Sequence, residues 1–82
     1  MLEDLKRNNK TIGIKQSVKA VENETAKIVY IARDAEEKVV GALKELCKKK
    51  SIEIIYVDNM KQLGKACAID VGAAAVCLLK DM

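Results

Sequence analysis

Two short runs, Ile28-Val29-Tyr30-Ile31-Ala32 and Ile52-Glu53-Ile54-Ile55-Tyr56-Val57, are rich in β-branched residues and too short for ordinary helices. That pattern predicts internal, buried strands with both tyrosines in the core. A third run, Ala74-Ala75-Val76-Cys77-Leu78-Leu79, follows Gly72, and Thr11-Ile12-Gly13 supplies a short fourth strand. Between the strands the period becomes helical. Val39, Val40, Leu43, Leu46 and Cys47 recur at i, i+1, i+4, i+7 and i+8, which makes one apolar stripe. Asp34 followed by Glu37 has the spacing of a capping box for that helix, and Lys48, Lys49 and Lys50 lie where cations complement its dipole. Met60, Leu63 and Cys67 mark a shorter helix with Asn59 and Gln62 at cap spacing. Helices alternating with strands predict a single domain over residues 1–82 of the α/β class: a mixed sheet sandwiched between helical layers. Proline is absent, so the element boundaries fall to polar caps and glycines; Gly13, Gly64 and Gly72 are expected at junctions and Gly41 within the long helix.

One helix departs from this economy of apolar faces. In Gly13-Ile14-Lys15-Gln16-Ser17-Val18-Lys19, a turn of about 100° per residue gathers Lys15, Gln16 and Lys19 into one sector and turns Val18 and Val21 away. Two ammonium groups and an amide therefore face a partner. Gly13 lets the backbone approach that partner, and the free N–H groups of the first turn add outward positive potential. A nucleic acid answers this chemistry best.

Composition narrows the alternatives. The chain is half hydrophobic and one-third charged, the balance of a folded domain, and no apolar run approaches the roughly 20 residues of a membrane span. Met1-Leu2-Glu3-Asp4-Leu5-Lys6-Arg7 has acids and no apolar h-region, so a cytoplasmic location is expected. The net charge of +3 is mild, but its distribution is uneven: Lys6, Arg7, Lys10, Lys15 and Lys19 occur in a stretch without acids, whereas Glu22, Glu24, Asp34, Glu36 and Glu37 follow. One end of the molecule is expected to be the more positive.

Catalytic constellations are thin. There is no histidine, and Cys47, Cys67 and Cys77 sit inside apolar patterns without a C-x-x-C pair, so they read as small buried hydrophobes. Gly64-Lys65 lacks the Ser or Thr and the upstream glycine of a phosphate-binding loop. The acids Asp34, Glu36 and Glu37 have the helix-start position that capping and the dipole favour. No catalytic residue, metal ligand or cofactor is expected. With no Phe or Trp and both tyrosines assigned to the core, RNA recognition would use structured RNA, with lysines on phosphates and Lys or Gln on purine edges. Because a duplex RNA major groove is too narrow for a helix, the target needs a groove opened by a kink or internal loop.

Four segments in order then resemble one family. Gly13 to Lys19 is similar to G-x-N-E-x-x-K, Ile31-Ala32-Arg33-Asp34-Ala35-Glu36 to the strand-to-helix loop A-x-D-A-E or A-E-D-x-D, Leu63-Gly64-Lys65-Ala66-Cys67 to L-G-[KR]-A-[CA], and Ile69-Asp70-Val71-Gly72-Ala73-Ala74 to L-E-V-P-A-A. These are signatures of the kink-turn-binding ribosomal protein family, of the archaeal L-seven-Ae and L-thirty-e type, and the short chain looks most like its small bacterial, YbxF-like members. The resemblance implies a three-layer α-β-α sandwich with a four-stranded mixed sheet. It also implies a non-enzymatic partner of structured RNA containing a kink-turn, with tandem sheared G·A pairs, in ribosomal RNA or a riboswitch. Neither DNA nor membrane is implied, and the protein is expected to be a cytoplasmic monomer, either a fixed ribosomal component or an exchangeable factor.

By position, the resemblance puts Gly13 and Ile14 at the helix start that enters the opened groove, Lys15 and Gln16 on guanine edges, and Lys19 on a base or phosphate. It places Arg33, Asp34, Ala35 and Glu36, together with Ile69, Asp70 and Val71, beside the bulged nucleotides, with Glu36 matching an acid that reads a flipped base. Lys65 belongs to the third motif. Lys15 and Gln16 replace the family's usual Asn and Glu, which exchanges acceptors and negative charge for donors and positive charge. Glu37 and Gly72 stand where many members have proline, and Met60 where many have a basic residue. Two other readings carry their own signatures: a protein-interaction adaptor on the same sandwich, with an apolar patch and no salt-sensitive RNA binding, and an enzyme acting on a phosphorylated metabolite through Gly64-Lys65.

Overall fold

The apolar runs are continuous because the central strands they form are covered on both faces. The computed structural model describes Leu5 and residues 9–80 of the 82-residue chain. The order of elements is β1 (Lys10–Ile12), α1 (Ile14–Glu22), β2 (Ala26–Ala32), α2 (Glu37–Lys49), β3 (Glu53–Val57), α3 (Met60–Ala66) and β4 (Ala75–Leu79). The sheet runs β1-β4-β2-β3, with β2 and β3 parallel and β4 antiparallel to both β1 and β2. This is the expected α/β sandwich with a four-stranded mixed sheet.

Alternation along the strands sorts the core into two layers. Val29 and Ile31 of β2 and Ala75 and Cys77 of β4 pack with Ala20 and Val21 of α1 and Val40, Leu43 and Cys47 of α2. On the other face, Tyr30, Ala32, Val57, Val76 and Leu78 pack with Leu63 of α3, with Cys67 and with Leu5. The three cysteines are free and buried, as their patterns imply. Burial pushes the thiols of Cys47 and Cys67 upward and that of Cys77 up to about 11. All three are therefore protonated at neutral pH and inert as nucleophiles.

Strand order overturns one expectation. Tyr30 is fully buried on central β2, but β3 is an edge strand and Tyr56 is 42% exposed. Its ring lies 5.4 Å from the Arg33 guanidinium and 5.6 Å from the Lys44 ammonium, contacts typical of a ring that covers a seam beside solvent. Strand ends also shift slightly: β2 starts at Ala26, β3 at Glu53 and β4 at Ala75.

The helix caps divide. Asn59 Oδ1 accepts from the backbone N–H of Gln62 at 2.7 Å, as its spacing predicts. The capping box of Asp34 and Glu37 does not form: α2 begins at Glu37 with Glu36 at the cap position and no side-chain bond there. Asp34 Oδ1 instead accepts from the N–H of Met60, 26 residues away, at 2.8 Å. Together Asn59 and Asp34 satisfy two of the orphan donors at the start of α3. Asp34→Ala removes a charged acceptor from a helix start, a loss of about 1 kcal/mol, so a thermal scan should show the melting temperature lowered by about 4–8 °C. Asp34→Asn keeps an acceptor oxygen and retains most of that; equal melting of Asp34→Ala and parent would show that the bond contributes nothing.

Candidate nucleic-acid interface

Since β1, β2 and β3 run in one direction and β4 returns, four connections meet at one end of the sheet: Gly13 after β1, residues 33–36 after β2, residues 58–59 after β3, and residues 67–74 before β4. Backbone bonds tie them together. The N–H of Gly13 donates to Ala75 O at 2.9 Å, that of Ala32 to Ala74 O at 2.9 Å, that of Arg33 to Val57 O at 2.8 Å, and that of Ala73 to Met60 O at 3.0 Å. With the Asp34 to Met60 bond, the loops form one continuous surface.

At its head is the start of α1. Gly13 has φ 105, a region that side-chain-bearing residues rarely adopt, and this turn brings the chain from β1 straight into the helix. Ile14 is half-buried against the core, whereas Lys15, Gln16 and Lys19 are all exposed and Ala20 and Val21 are buried, so the polar sector read from the helical period faces solvent. Lys19 lies about 7.5 Å down the helix from Ile14, in the same angular sector as Lys15.

The other candidates occupy the neighbouring loops. Arg33, Asp34 and Glu36 are exposed, and Ala35 packs between both core layers. Arg33 is held loosely, its Nε 4.0 Å from Asp58 Oδ1. Ile69 is half-buried with its N–H bonded to Gly64 O at 3.1 Å, Asp70 is exposed, and Val71 is 70% exposed, an apolar side chain offered outward from a folded loop. Met60 and Ile12 add exposed apolar surface at the same end, which periodicity had no means of flagging. Lys65 stands apart: it is exposed in the last turn of α3, about 7.5 Å along the helix from Met60.

One expectation fails here. Gly64 is not at a junction but inside α3, buried against the backbone of Val71. Charge at this end is mixed: Lys15 and Arg33 share it with Asp34, Glu36, Asp58 and Asp70, while Lys6 and Arg7 lie outside the described residues. Lys15 supplies positive charge on the α1 side and Arg33 on the loop after β2, with the acids on the loops. Among the described residues no three His, Cys, Asp or Glu side chains converge as a metal site.

Fold and site define a small α/β sandwich that offers a face built of loops and a helix start. The chain belongs to the Ribosomal protein L7Ae/L30e/S12e/Gadd45 family, which it matches over residues 2–82. It is 55% identical over 65 residues to RNA-binding protein TTE2299 of Caldanaerobacter subterraneus subsp. tengcongensis, covering 79% of each chain. It is 56% identical over 69 residues to RNA-binding protein BH0128 of Halalkalibacterium halodurans, covering 84% of each. Among solved structures it is similar to the Giardia lamblia 15.5kD RNA binding protein, with TM-score 0.91, 25% identity, and coverage of 98% of this chain and 71% of that one.

Proposed function

We propose that this chain is an RNA-binding protein that recognises and stabilises kink-turn RNA, using the loop-built end of the sheet. The observation that carries the reading is the α1 start: a glycine turn at φ 105 leads directly into a first turn with Lys15 and Gln16 exposed, and Lys19 is exposed one turn further along. Free backbone N–H groups and two ammonium groups there suit phosphates and purine acceptors. Lys15 and Gln16 contact the guanine edges of sheared G·A pairs, and Lys19 a base or phosphate nearby. Arg33, Asp34, Ala35 and Glu36 border the bulged nucleotides on one side, with Glu36 available to a flipped base. Ile69, Asp70 and Val71 border them on the other, where exposed Val71 gives apolar contact. Lys65 contributes charge from the flank.

The mechanism is a population shift. Binding the kinked conformer more tightly than the extended one favours the kink, and the α1 lysines offset the repulsion of phosphates crowded by the bend. No chemical step is involved, and the target lies in ribosomal RNA or a structured regulatory RNA. Support comes also from the relatives named as RNA-binding proteins at over half identity.

Gel-shift titrations of Lys19→Ala and Gln16→Ala against an intact kink-turn and one with both G·A pairs made Watson–Crick test the assigned face. Lys19→Ala should weaken both RNAs by about fivefold and leave their ratio unchanged, as loss of a phosphate contact does. Gln16→Ala should shrink the ratio. If neither variant alters binding, the face is wrong.

A further inference from the structure

At the far end of α2, opposite the interface just described, Lys48 and Lys49 close the last turn and Lys50 is the C-cap. All three are exposed. At about 100° per residue they fan over roughly 200° of the helix end, so a single neighbouring acid cannot answer them all. None does: among the described residues the ion pairs are Arg33 with Asp58 and Lys44 with Glu37. The helix dipole favours cations here, by about 0.3–1 kcal/mol each within the last turn. It does not call for three adjacent ammonium groups that repel one another. Beside them the helix surface forms a shallow depression lined by Ala42, Glu45, Leu46, Lys48 and Lys49, with Glu45 the one acid.

We propose that Lys48, Lys49 and Lys50 form a second RNA contact, one that grips phosphate backbone without reading sequence. This rests on the RNA-binding reading of the opposite end. The 13 residues of α2 span about 20 Å, so the lysines sit that far below the first interface, beyond the reach of a minimal kink-turn but within reach of a lengthened stem or a second RNA helix. Flexible point charges with no planar hydrogen-bonding partner suit phosphate and not base edges. A lipid surface is the poorer match. Among the described residues the exposed large hydrophobic residues are Ile12, Val39, Tyr56, Met60 and Val71, and none lies in the last turn of α2, where Leu46 is half-buried, so no exposed large apolar side chain accompanies the lysines into a bilayer.

The test compares the parent with Lys48→Gln/Lys49→Gln/Lys50→Gln, glutamine having nearly the helix propensity of lysine. Three RNAs are titrated between about 50 and 200 mM salt: a minimal kink-turn, the same kink-turn with one stem lengthened by a helical turn, and an unkinked duplex. The triple variant should bind the minimal RNA within about twofold of the parent. On the lengthened RNA or the duplex it should lose about tenfold, with the slope of log affinity against log salt reduced by about 2. Loss on the lengthened RNA alone assigns the contact to the same molecule; loss on the duplex assigns it to any RNA helix. Unchanged affinity and slope on both overturn the proposal. Failure of the kink-turn reading registers separately, as equal parent affinity for intact and broken minimal RNAs.

Discussion

Gly64→Ala should melt well below the parent, despite placing the best helix former in the interior of a helix. A Cβ built on Gly64 would lie 2.0 Å from the carbonyl oxygen of Val71, 3.0 Å from its carbonyl carbon and 3.1 Å from Gly72 Cα. All three are backbone atoms, so no side chain can rotate away. The gain in propensity, about 1 kcal/mol, competes with overpacking of about 1–3 kcal/mol or more, because the loop before β4 must move as a unit. Gly64 O also accepts from the N–H groups of Cys67 and Ile69, so the shift spreads along the turn that presents Val71. The melting temperature should fall by about 5–15 °C. RNA binding should weaken further than stability alone explains. Gly41→Ala is the control: its Cβ would meet only Glu37 Oε2 at 3.2 Å, the end of a flexible side chain, so the same change should be neutral or slightly stabilising. Equal melting of the two variants would show that the approach of α3 to the Val71 backbone is not tight.

How much was legible in the sequence follows from what each residue depends on. The buried strands and the stripe of α2 depend on local period, and both were readable. So was the exposure of Lys15, Gln16 and Lys19, which the helical turn alone decides. Strand order is not written in period. Tyr56 has the same apolar neighbours in sequence as Tyr30, yet β3 ends the sheet and β2 lies inside it. Asp34 and Glu37 had correct local spacing, but the fold brings the start of α3 within reach of Asp34, and the tertiary bond displaces the local one. Charge followed the same rule: topology gathers Asp34, Glu36, Asp58 and Asp70, from separate stretches of the chain, at the end that also carries Lys15. Gly64 looked like punctuation because close packing against a loop seven residues later leaves no trace in propensity.

The second large effect is discrimination between kinked and unkinked RNA. Two guanine edges, each recognised at about 1–3 kcal/mol, give about 2–6 kcal/mol in favour of an intact kink-turn, at least roughly thirtyfold in affinity. Phosphate contacts add affinity to both RNAs alike and no discrimination. Lys15 and Gln16 sharpen the question, because donors have replaced the family's usual acceptors at the two positions assigned to the guanines. A lysine can still donate to O6 and N7 of guanine, and Gln16 keeps an acceptor beside its donor. The sheared pairs expose those edges and permit the bend; Watson–Crick pairs close the groove and hold the extended form. On the proposed reading the α1 start meets its partner atoms only in the intact RNA.

Calorimetric titration of the parent protein with a minimal kink-turn, and with the same RNA after both G·A pairs are replaced by Watson–Crick pairs, tests this most directly. Affinity for the intact RNA higher by at least about thirtyfold is the predicted result. Equal affinity for the two would contradict it.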